Sequence, residues 1–67
     1  MKSILNNDKF ELVGNLTTIS VLKLQDDRWK IVENGRYSGE KSDLEIIEMV
    51  ERVTGKGFEL VTPELNY

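Results

Sequence analysis

The sequence predicts a small two-layer α+β domain, with one amphipathic helix of about residues 42–54 packed on a three- to five-stranded, mostly antiparallel sheet. Three observations carry this. Apolar and polar residues alternate with a period of two in "KFELVGN" and again in "RWKIVE", on either side of a Thr-, Ile- and Val-rich run, as half-buried strands require. One stretch, "SDLEIIEMVERVTG", changes to a helical period and carries both a start and a stop signal. After it "FELVT" alternates again. The expected order is strand, strand, strand, an optional short fourth strand, helix, strand.

The first strand is "KFELV", with Phe10 and Leu12 on one face, and Gly14-Asn15 reads as a turn into "LTTISVLKLQ". Thr, Ile and Val dominate that run, and branched side chains suit the pleat of a sheet. Asp26-Asp27 interrupts it before "RWKIVE" resumes the alternation. A loop of two or of four residues here pairs Leu24 with Trp29 and Leu22 with Ile31. Those four residues then face the helix, and Val21, Lys23, Lys30 and Val32 face away from it. The first hairpin conflicts with this arrangement. A two-residue turn at Gly14-Asn15 puts Phe10 and Leu12 on the Val21 face, whereas a three-residue turn puts them on the Leu22 face. A bulge at Val21-Leu22 would also reconcile the strands. The reading adopted is that Phe10 and Leu12 join the main core.

Asn34-Gly35 is a turn signal, because both residues tolerate positive φ, and it pairs Val32 with Tyr37. In the helix, Ser42 is the expected N-cap, with Glu45 completing a capping box and Gly55 as the stop. At 100° per residue Ile46, Ile47, Met49, Val50 and Val53 share one broad face. Glu45, Glu48, Glu51 and Arg52 share the other, with Glu48 and Arg52 spaced for an ion pair. Pro63 ends the last strand, and residues 63–67 read as a loose tail of the single domain spanning 1–67.

Composition narrows the function. The chain has 67 residues, no histidine and no cysteine. It therefore lacks the commonest general base, thiolate nucleophiles, disulfides and the usual transition-metal ligands. Ser and Lys nucleophiles have no histidine to activate them, so the sequence points away from an enzyme and from any cofactor. The opening "MKSILNND" is too short of apolar residues for a secretory core, and no stretch has membrane-spanning length, so a cytoplasmic protein is expected. Net charge is −3; residues 42–67 carry two bases and six acids, whereas residues 23–41 carry five bases and four acids. Such a chain is a poor non-specific nucleic-acid binder.

Two surfaces remain as candidates. The sheet face turned away from the helix has nothing in the chain to cover it. On the expected register it brings Val21, Lys23, Lys30, Val32 and Tyr37 together as a partner-binding surface. The acidic helix face of Glu45, Glu48 and Glu51 could instead meet a basic or DNA-binding partner, although acids at this spacing also describe an ordinary solvated face. Asp26-Asp27 offers too few converging oxygens for a hard cation and reads as turn chemistry. "GKGF" leaves a helix for a strand, the reverse of a phosphate loop. The expected function is a non-catalytic protein-interaction module of accessory or inhibitor type, self-associating or binding a protein partner. The alternatives are a nucleic-acid module using Arg28, Lys30, Arg36 and Tyr37, and an acidic-helix inhibitor.

Overall fold

The computed structural model describes residues 4–62. After a 3-10 turn at Ile4–Asn6 come strands β1 (Lys9–Val13), β2 (Thr18–Gln25), β3 (Arg28–Glu33) and β4 (Arg36–Lys41), helix α1 (Asp43–Thr54) and strand β5 (Glu59–Val61). The five strands form one sheet in the order β4-β3-β2-β1-β5, and every neighbouring pair is antiparallel. The first four strands are a meander, and α1 carries the chain back across the sheet so that β5 can pair with β1. The domain's thin dimension is 20 Å, room for one sheet and one helix layer at about 10 Å each. The stretch 63–67, expected as a tail, lies outside the described residues.

The core settles which sheet face meets the helix. Phe10, Leu12, Ile19, Val21, Trp29 and Ile31 from the sheet and Ile46, Met49 and Val50 from α1 are buried together. Val53 and Phe58 pack against them. Phe10 and Leu12 thus join the main core as expected, but that core includes Val21 rather than Leu22. Val21 is 0% exposed, whereas Leu24 is 49% exposed. The cause is a bulge near the β2–β3 hairpin tip. Gln25 pairs with Arg28 across a two-residue loop, but Lys23, not Leu24, is the next residue to pair, opposite Trp29. One unpaired residue shifts the rest of β2 by one position, and side-chain alternation turns that shift into an exchange of faces. The bulge falls at Leu24 and not at Val21-Leu22.

The first hairpin accommodates the same core with a longer loop. Val13 pairs with Thr18, leaving four residues in the connection, closed by a 2.7 Å bond from Gly14 N–H to the Thr17 carbonyl. Phe10 then lies opposite Val21 and Leu12 opposite Ile19. Gly14 is needed for closeness: a Cβ there would sit 2.7 Å from Phe58 Cζ, so the aromatic ring rests directly on the glycine. The third hairpin follows its sequence signal. Asn34 and Gly35 both have positive φ (52° and 83°), Glu33 faces Arg36 and Val32 faces Tyr37. The β4 strand is six residues long, with its own bulge between the Tyr37 and Gly39 pairings.

Helix α1 has the expected start and ends as expected at Thr54 with Gly55 as its C-cap, but the left-handed turn of its exit comes two residues later. Ser42 caps it, and the reciprocal Ser42–Glu45 bonds of the capping box are both present. Gly55 caps the helix but remains right-handed at φ −67°, so it is not the left-handed residue of the exit. The left-handed position is Gly57 at φ +105°. There Phe58 N–H reaches the Val53 carbonyl at 3.1 Å, and Gly57 N–H reaches Thr54 at 3.2 Å, the paired bonds of a Schellman exit. The expected Glu48–Arg52 ion pair is not among those of the described residues, where Arg28 and Glu40 pair at 3.1 Å. No helix among the described residues is long and apolar enough to cross a membrane.

Candidate functional site: the open face of the sheet

Residues directly paired across strands point to the same side of a sheet, so the registers define the face that α1 leaves open. One row crosses it from Glu40 through Lys30 and Leu22 to Lys9. The next runs from Tyr37 through Val32, Ser20 and Glu11 to Val61. A third holds Thr18, Val13 and Glu59. Neighbours within a row are about 5 Å apart, so Tyr37 and Val32 form an apolar pair near one edge. Leu22, Val13 and Val61 lie on the same face toward the other edge.

Of the five partner-binding candidates, Lys30, Val32 and Tyr37 stand on this face together. Val21 and Lys23 do not. Val21 is sealed in the core, and Lys23 lies across from Trp29 on the helix side. The Lys23 ammonium sits 5.7 Å from the Trp29 ring centroid, a cation–π contact. Both displacements follow from the Leu24 bulge. Leu22, Val13 and Val61 take their place, three residues that sequence reasoning did not put here. The available signal was the Phe10/Leu12 alternation, which matches Ile19 and Val21 and leaves Leu22 on the opposite face.

Trp29 is a core residue. It is 0% exposed, its ring meets Phe10 edge-on at 6.0 Å between centroids, and its indole N–H donates to Asp43 Oδ1 at 2.6 Å. Buried tryptophans need such a partner for the N–H. The hairpin tip is tied to the same place, because Asp27 Oδ1 accepts the Asp43 backbone N–H at 2.9 Å. Asp27 has φ 62°, so it both turns the chain and satisfies a free donor at the helix start. Asn34 does comparable work at the opposite end. Its side-chain oxygen accepts the Thr18 N–H at 2.9 Å, and its own N–H donates to the Thr18 carbonyl at 2.8 Å.

Electrostatically the open face is mixed. Arg28 is engaged by Glu40, and Lys30 stands opposite that same glutamate. The acidic helix face is smaller than its sequence suggests. The Glu45 carboxylate accepts the Ser42 backbone N–H at 2.9 Å and the Ser42 hydroxyl at 3.3 Å. The backbone bond, then the hydroxyl, holds its carboxyl below the ordinary value of 4.5. Glu48 and Glu51 remain exposed. Near them on α1 is Leu44, 65% exposed and turned away from the buried stripe.

A shallow depression indents the open face where β5, β1 and β2 meet, lined by Lys9, Glu11, Leu22 and Val61, with Phe10 and Val21 beneath. No cluster of three or more Asp or Glu among the described residues is placed to hold a metal ion. Compared with protein-family models, with curated proteins and with solved structures, the chain matches none of them.

Proposed function

We propose that this chain is a non-catalytic protein-interaction module, of accessory or inhibitor type, that docks a protein surface on the open face of its sheet. The observation that carries the reading is the set of apolar side chains on a face that no element of the described residues covers. Val32 and Tyr37 are adjacent, Tyr37 is 64% exposed, and Leu22 and Val61 flank the depression on the same face. Exposed aromatic and aliphatic groups beside a polar rim are the usual anchors of protein interfaces. Of the basic residues that nucleic-acid binding would use, Arg28 is paired with Glu40, and Lys30 and Arg36 stand across from Glu40 and Glu33 in the strand register, so each has an acid beside it.

The test is a double variant, Val32→Glu with Tyr37→Ala, set against the helix-face variant Glu48→Lys with Glu51→Lys. Light scattering over a concentration series reads self-association, and capture on immobilised protein reads partner binding. Trp29 emission verifies that each variant is folded. The expected result is loss of association or capture in the sheet-face variant alone. Equal behaviour of the folded sheet-face variant and the unaltered protein in both assays would overturn the proposal. Loss in the helix-face variant alone would assign the interface to the acidic face.

A further inference from the structure

We draw no further inference here: the strongest candidate, the depression on the open sheet face lined by Lys9, Glu11, Leu22 and Val61, belongs to the face already described, and with lysine and glutamate balanced beside it nothing in the structure shows what fills it.

Discussion

Truncating Val21 and Leu22 separately tests the Leu24 bulge, because these adjacent residues stand on opposite faces of β2. Val21→Ala removes two carbons from a side chain that is 0% exposed, in contact with the buried cluster. At about 0.8 kcal/mol per buried methylene, plus a term for the cavity left behind, the loss is about 2–3 kcal/mol. Leu22→Ala removes three carbons from a half-buried position on the open face, where the cost stays below about 1 kcal/mol. The larger truncation is therefore expected to be the milder one. A domain of this size has roughly 3–10 kcal/mol of total stability, so the Val21 variant should melt about 10–20 °C lower. The single tryptophan, Trp29, is fully buried, and its emission follows urea or heat unfolding directly. If Leu22→Ala proved as destabilising as Val21→Ala, or more so, the reasoning would be refuted. The simple alternation with Leu22 and Leu24 in the core would then be restored.

Three further outcomes are expected. Asp43→Ala leaves the buried Trp29 N–H without its acceptor and should cost about 1–3 kcal/mol; Asp43→Asn keeps an oxygen there and should recover most of it in the same melts. The depressed Glu45 carboxyl favours the folded state when ionised, so its contribution is present above the ordinary carboxylate value and lost as pH falls through the folded one. Melting curves from pH 7 to pH 3 should accordingly show the unaltered protein losing stability relative to Glu45→Gln, which keeps the capping-box bond but does not titrate; a constant difference would count against the capping origin of the shift. Gly57→Ala forces a side chain into φ +105° and should cost at least about 1 kcal/mol, more than Gly55→Ala at right-handed φ; the reverse order in urea midpoints would place the helix exit at Gly55.

The parts of the fold legible in the sequence are those decided by local chemistry. Asn34-Gly35 specifies its turn because both residues reach positive φ at low cost, and the pairings beside it follow at once. Ser42 and Glu45 specify the helix start because two backbone donors are satisfied reciprocally. The helix end at Gly55 was legible, but the residue that turns left-handed was not, since "TGKG" contains two glycines and either can take that conformation. The choice falls on Gly57 where Phe58, one residue on, can pack beside Val53 against the core and over Gly14. That preference is tertiary and cannot be read from the tetrapeptide.

The candidate face was legible as a face and illegible in part of its membership, and the reason lies in β2. Ile19 and Val21 occupy one parity of that strand and Leu22 and Leu24 the other, so hydrophobicity alone does not orient it. In β1 and β3 the largest apolar side chains share one parity, Phe10 with Leu12 and Trp29 with Ile31, and both pairs meet the same helix. A continuous β2 joined to β3 through the Asp26-Asp27 turn cannot place Trp29 beside Val21's face. One extra residue near the tip can, and Leu24 is that residue. Burying Ile19 and Val21 in place of Leu22 and Leu24 puts the β-branched pair of the central strand against the helix, where such side chains pack well on the pleat. The bulge therefore aligns three strands on one core. The same shift brings Leu22 out beside Lys30 and Lys9 and takes Ile19 and Val21 off the open face, so the bulge decides which apolar residues of β2 that face presents.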